Sequence, residues 1–193
     1  MIPSFKTHVE NSAGGHDFDI SAILAGQGRF YLTGPVNVDS ELAMAAYLDY
    51  AAREGLNVTI ILNTDGGEVN AGLAIYDLIQ SYPYEITIIC VGIAASMGAI
   101  LLAGGRKGRR FILPHSKVMI HEPLITNGFG GSATSIEQKA KTILDVKQKL
   151  NEILAKHTGR TLEEINKATA FDNFMSAEEA VEFGICDAIG TIY

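Results

Sequence analysis

From Ile86 to Gly105 the chain runs twenty residues without a charge, bounded by Glu85 and Arg106, and no other stretch limits the fold as strongly. Twenty apolar residues are the length of a membrane-spanning helix. The run is uneven, however: Ile86-Thr87-Ile88-Ile89-Cys90-Val91 is mostly β-branched, Gly92 interrupts it, and Ala94 to Ala103 is rich in helix formers. A buried strand that turns into a buried helix fits this asymmetry better than a single span. At the joint stands Ser96, hemmed by Gly92-Ile93-Ala94-Ala95 and Met97-Gly98-Ala99. Small residues on both sides permit a sharp strand-to-helix turn that uncovers a hydroxyl and points backbone N–H groups at an anion. They equally suit a Gly/Ala-rich helix packed closely on a neighbour, and the octapeptide alone does not choose.

A chain of 193 residues can bury one real core and is too short for two ordinary domains. With 47% hydrophobic and 19% charged residues it falls in the globular class. The net charge of −7, with Arg106-Lys107-Gly108-Arg109-Arg110 as the main basic run, argues against nucleic acid as a partner. Cys90 and Cys186, both in apolar surroundings, cannot make a disulfide framework or a four-ligand zinc site, so no metal is expected. Met1 to Ser12 has no apolar signal core. Together these features predict a cytoplasmic protein that is not inserted in a membrane.

In chain order, residues 1–16 are polar, carry Gly14-Gly15, and read as a flexible arm ahead of a single domain over 17–193. A short amphipathic helix is predicted over Asp17–Leu24 and a strand over Arg29–Gly34. A helix over Glu41–Glu54, N-capped by Asp39 or Ser40, should close at Gly55. Val58–Asn63 is apolar on both faces, as in a covered parallel sheet, and leads through Thr64-Asp65-Gly66-Gly67 into a helix from about Asn70 to Ser81. Phe111–Leu113 and Lys117–Ile120 read as short strands. A long helix follows from about Thr134 to His157, closed by Gly159. Its stripe of Ile136, Ala140, Ile143, Leu144, Lys147, Leu150, Ile153 and Leu154 exceeds what one small domain needs to cover, which predicts a subunit contact. A further helix over Leu162–Thr169 precedes the capping box Ser176-Ala177-Glu178-Glu179, which opens a last helix ending at Gly184. Strands alternating with helices define an α/β fold.

Ligands of such folds bind where parallel strands end. Loops at three strand ends supply a glycine pair (Gly66, Gly67), a serine (Ser96) and a histidine (His121), the inventory of acyl transfer: oxyanion donors, nucleophile and base. A serine hydroxyl needs an imidazole within hydrogen-bond reach, and the imidazole needs a carboxylate to fix its tautomer. His8 and His16 lie in the arm, His115 follows Pro114 in a turn, and His157 is placed to cap helix carbonyls. Only His121 stands where an apolar strand stops, although a structural histidine would satisfy the same pattern. For the acid, Asp77, Glu122, Asp145 and Asp172 all qualify. Asp172 gains from lying in a short apolar segment, where a carboxylate needs a partner.

Five ordered segments, Asn63–Gly67, Ala71–Asp77, Gly92–Ala99, Met119–Pro123 and Asp172–Ala180, strongly resemble the proteolytic subunit of the Clp protease, over about Asp17 to Asp187. The resemblance implies a crotonase-like fold of stacked ββα units with a protruding handle helix, here about 134–157. It implies a serine endopeptidase with Ser96 as nucleophile, His121 as base, Asp172 as orienting acid, and the backbone N–H groups of Gly67 and Met97 as oxyanion donors. Glu68, Val69, Leu124 and Ile125 are implied to bind substrate, and residues 1–16 to form an axial-pore loop. It further implies two stacked heptameric rings, fed with unfolded chains by an AAA+ unfoldase that uses the ATP. The subunit itself binds no cofactor.

The sequence also departs from the family pattern. Asp65 replaces a usual proline, and the Ile125–Ser132 loop is about two residues longer than usual. Ala170 and Phe171 replace an Asp-Arg pair, so the usual ion pair between rings cannot form. Thr59 and Ile61 stand where tyrosines line the unfoldase docking pocket. A second reading follows, a weakly active or regulatory ring subunit that needs a paralogous subunit, possible in a mixed complex. A third, thioester chemistry on the same fold, would leave Ser96, His121 and Asp172 without a role.

Overall fold

The computed structural model of the chain describes residues 6–11, 14–124 and 130–190. Two strands open it, β1 (Lys6–Asn11) and β2 (Gly14–Asp19), paired antiparallel from Lys6↔Asp19 to Asn11↔Gly14. Within the stretch expected to form an arm, Lys6–Asn11 and Gly14–Asp19 thus make a backbone ribbon. Thr7 and Val9 alternate with polar residues, a period-two pattern that overall polarity conceals. The ribbon also takes Asp17–Asp19 from the expected first helix, leaving α1 (Ile20–Gly26), with Asp19 accepting from the Ser21 N–H as its cap.

Next come β3 (Arg29–Thr33), α2 (Val38–Arg53), β4 (Val58–Thr64) and α3 (Val69–Ser81). Helix α2 starts before Asp39, because Asn37 and Ser40 form a reciprocal capping box. β5 (Ile86–Ala95) leads into α4 (Met97–Ala103), then β6 (Arg110–Ile112) and β7 (Lys117–Ile120). The chain ends with α5 (Ala133–Thr158), α6 (Leu162–Ala168), β8 (Asn173–Met175), α7 (Ala177–Phe183) and β9 (Ala188–Ile189). The long helix closes at left-handed Gly159, and the Ser176–Glu179 box caps α7 as its sequence predicts.

Among the described residues, β3, β4, β5, β6 and β9 form one parallel sheet in that order. The uncharged run from Ile86 to Gly105 is its middle strand plus α4, every residue of which is buried. No helix among the described residues is long and apolar enough to cross a membrane. The strand runs four residues past its expected end at Val91 by bending. Between Leu62↔Cys90 and Thr64↔Ala94, β4 advances two residues and β5 four, and Gly92 takes φ +88° within the bulge. Its N–H donates to Ser116 Oγ (2.8 Å), and the Ile93 N–H donates to Asn63 Oδ1 (3.2 Å). Before the bend β5 pairs with β6; after it, Ile93–Ala95 pair with β7, which in turn pairs antiparallel with β8.

Helix α5 buries only Leu150, Asn151 and Leu154, all near its C-terminal end, while Leu144 stands exposed on the earlier turns. His157 does not cap carbonyls: its Nε2 lies 2.8 Å from the Tyr76 hydroxyl of α3. Burial, with Lys156 and Arg110 nearby, lowers its pKa and favours the neutral ring.

Near the sheet edge Arg110, 3% exposed, grips Asp187, 14% exposed, through Nη2–Oδ1 (2.6 Å) and Nε–Oδ2 (3.1 Å). The same guanidinium donates to the carbonyls of Ala103 and His157, tying α4, α5 and the β9 approach together. Burial pushes the Asp187 pKa up, but hydrogen bonds from Arg110 and Gly108 and the guanidinium charge outweigh it and leave the carboxyl below its ordinary value. Because the folded pKa is depressed, the stabilisation is present at neutral pH and is lost as pH falls below the ordinary carboxylate value of about 4. Asp187→Ala, which strands a buried cation, should cost about 3 kcal/mol by urea unfolding at pH 7, and less at pH 3.

Candidate active site

Because β4, β5 and β7 run parallel, their carboxyl ends share one edge, and the loops after them meet there. The Asp65-Gly66-Gly67 turn lies against the serine turn: a Cβ on Gly66 would sit 2.7 Å from Ala95 O and from Ser96 Cβ. Gly66 and Gly67 take φ +94° and +150°. The turn is held by hydrogen bonds from Gly66 N–H to Thr64 Oγ1 (3.0 Å) and from Val36 N–H to Gly66 O (2.8 Å). Glu68 N–H to Val36 O (2.8 Å) completes a bridge between Val36 and Gly67.

Ser96, with φ 54° and ψ −120°, is the only non-glycine residue at positive φ among the described residues. Such a conformation costs about 1–3 kcal/mol and persists where its surroundings over-determine it. Here the Ser96 N–H donates to Met119 O (2.9 Å), and its own carbonyl accepts from Ala99 at the start of the buried α4. The hydroxyl is thereby turned to the cleft, with Oγ 2.9 Å from His121 Nε2. On the other side of the ring, His121 Nδ1 lies 3.1 Å from Asp172 Oδ1. A carboxylate only accepts, so Nδ1–H donates to Asp172 and Nε2 is left to accept the serine proton.

Register places the acid. Ile120 pairs with Asn173 in the antiparallel β7–β8 ladder, so His121 and Asp172 face each other one step beyond it. Of the four acids open to sequence reasoning, Asp172 is the one that meets His121; Glu122 pairs with Lys147 (2.5 Å), while Asp77 and Asp145 are exposed on α3 and α5. His121 is 12% exposed and Asp172 63%, so the acid does not sit in the apolar setting its neighbours suggest, and Phe171 beside it is 84% exposed.

A second layer comes from residues the sequence did not single out. Asn151, buried on α5, donates to Asn166 Oδ1 (2.7 Å) and Thr169 Oγ1 (3.2 Å). Thr169 O accepts from Glu122 N–H (2.8 Å), and Asn173 Nδ2 donates to Ala168 O (3.1 Å). The segments carrying His121 and Asp172 are thus fastened to α5 and to one another. One signal was available: Asn151 is a polar residue flanking Leu150 and Leu154 on the face that packs inward.

The cleft encloses about 280 Å³, with Met97, Ile100, Leu150 and Leu154 as its buried floor and Asp65, Gly67, Ser96 and His121 around the opening. Among the described residues the N–H groups of Gly67 and Met97 have no internal acceptor and are free for an oxyanion. Val69 and Leu124 line this cleft and an adjoining groove of about 560 Å³, which follows α5 along Thr142, Ile143 and Val146. Glu68 caps α3 without a side-chain hydrogen bond and lines a neighbouring hollow; Ile125 lies outside the described residues. No group of three or more His, Cys, Asp or Glu side chains among the described residues could hold a metal ion.

A family model described as Clp protease matches residues 12–192. A Cβ on Gly67 would sit 2.1 Å from Val36 O. Gly67→Ala should therefore open the bridge between Val36 and Gly67 while the core stays folded. Hydrogen exchange should accelerate at the Val36 and Glu68 amides and be unchanged in β5.

Proposed function

The chain belongs to the Clp protease family and is a peptidase of that type, and from this premise we propose that it is a serine endopeptidase using Ser96, His121 and Asp172. The observation that carries the reading is the continuous contact from Ser96 Oγ to His121 Nε2 (2.9 Å) and from His121 Nδ1 to Asp172 Oδ1 (3.1 Å). Ser96 Oγ attacks the peptide carbonyl as its proton passes to His121 Nε2, and the oxyanion accepts from the Gly67 and Met97 N–H groups. The tetrahedral species collapses as His121 returns the proton to the leaving amine. Water, deprotonated by the same imidazole, then releases the acyl group from Ser96. Asp172 keeps the Nδ1–H tautomer and offsets the imidazolium charge.

The family implies ring assembly with Clp ATPases. We assign the handle role to α5, whose exposed apolar residues suit a subunit contact, within two stacked heptameric rings of crotonase-like subunits. ATP is then used by a cytoplasmic unfoldase partner and not by this chain. Glu68, Val69, Leu124 and Ile125 bind the extended substrate beside the cleft. A second reading, a ring subunit with little activity until joined by a paralogue, is favoured by Ala170 and the exposed Phe171, at positions where the resemblance implies the charged pair of an inter-ring contact. Size-exclusion chromatography and peptide cleavage with and without such a paralogue separate the two.

A fluorophosphonate should label Ser96 in the assembled oligomer. Ser96→Ala and His121→Ala should each lower kcat by about 10⁴-fold or more at unchanged stability, since members of such a triad act as a unit. An unlabelled Ser96, or full activity in Ser96→Ala, would sink the reading.

A further inference from the structure

Asp65 lines the catalytic cleft with Gly67, Ser96 and His121, is exposed, and has no hydrogen-bond or ion-pair partner among the described residues. Its backbone sits one residue before Gly66, whose turn lies against Ser96, and Asp65 lines the same cleft as Ser96 and His121. The turn is held through the backbone of Val36, Gly66 and Glu68 and the Thr64 hydroxyl. The Asp65 side chain is therefore not needed to hold the turn. Nearby charge reinforces it. Glu68 lines the adjoining hollow, Asp172 is largely exposed, and Lys147 is engaged by Glu122. The cation along the neighbouring groove, Lys139, lies on α5 and donates to Gly130 O.

We propose that Asp65 is a specificity determinant that selects peptides carrying a lysine or arginine within two residues of the scissile bond and disfavours acidic residues there. The inference rests on the peptidase reading above. An extended chain advances about 3.3 Å per residue, so a carboxylate at the cleft opening meets side chains one or two positions from the bond. The apolar floor takes the residue whose carbonyl is attacked. A cationic neighbour gains from the Asp65 charge, and an acidic one is repelled. The pairing is at the surface, so its effect on kcat/KM should be about two- to fivefold.

The test uses the full-length oligomer and matched fluorogenic peptides that differ only by Lys, Gln or Glu at each of the two positions on either side of the cleaved bond. The wild type should cleave in the order Lys, Gln, Glu at one or more of these positions. In 1 M salt, where the Debye length is about 3 Å, the order should flatten. Asp65→Asn should remove the ratio, lowering kcat/KM for Lys peptides and raising it for Glu peptides. A uniform change across all peptides in Asp65→Asn would mean that the carboxylate acts only on the oxyanion, and would overturn the proposal. So would a wild type that cleaves without a Lys-over-Glu preference. Failure to cleave any peptide, together with no fluorophosphonate adduct on Ser96, would instead overturn the peptidase reading and this inference with it.

Discussion

The bend of β5 at Gly92 is the constraint on which the other features depend. A straight strand would carry Ala94, Ala95 and Ser96 onward beside β6, and β7 would have no edge to join. The bulge turns the strand end aside, and two polar side chains hold it there: Ser116 accepts from the Gly92 N–H and Asn63 from the Ile93 N–H. A side chain at residue 92 would meet Asn63 at 2.9 Å and would have to adopt φ +88°. From this single irregularity follow the pairing of Ile93–Ala95 with β7, the arrival of His121 beside Ser96, and the antiparallel addition of β8 that brings Asp172 to the same edge.

Much of this was legible in the sequence, for local reasons. The change from β-branched residues to helix formers across Gly92 reveals a strand and a helix, and Gly159, Gly184 and the Ser176 box mark the ends of α5 and α7 in their own residues. The three loops that meet at the site could be named because each follows an apolar strand. What was hidden depends on pairing between distant segments. The alternation at Thr7 and Val9 does not say which segment Lys6–Asn11 pairs with, and nothing within Asp172–Met175 announces a strand until Ile120 is placed across from Asn173. The acid could not be chosen from its surroundings for the same reason: it is the register of two strands, not the apolarity of Phe171 and Phe174, that places Asp172 on His121.

The site combines unequal supports. Ser96 is fixed by covalent geometry, by Met119 and by a wholly buried helix, and His121 is nearly enclosed. Asp172 faces solvent and depends on hydrogen bonds through Thr169, Asn173 and the side chain of Asn151. Ser96 and His121 therefore belong to the core, while Asp172 stands at the start of a surface strand coupled to α5.

Helix α4 is only seven residues long, and every one of them is buried. A helix so short does not form alone in water, so it and the strained turn at its start come into being only when β4, β5, α3 and α5 already enclose them. A chain in which those elements have come apart keeps Ser96 and His121 in its sequence but loses the packing that sets Ser96 Oγ 2.9 Å from His121 Nε2.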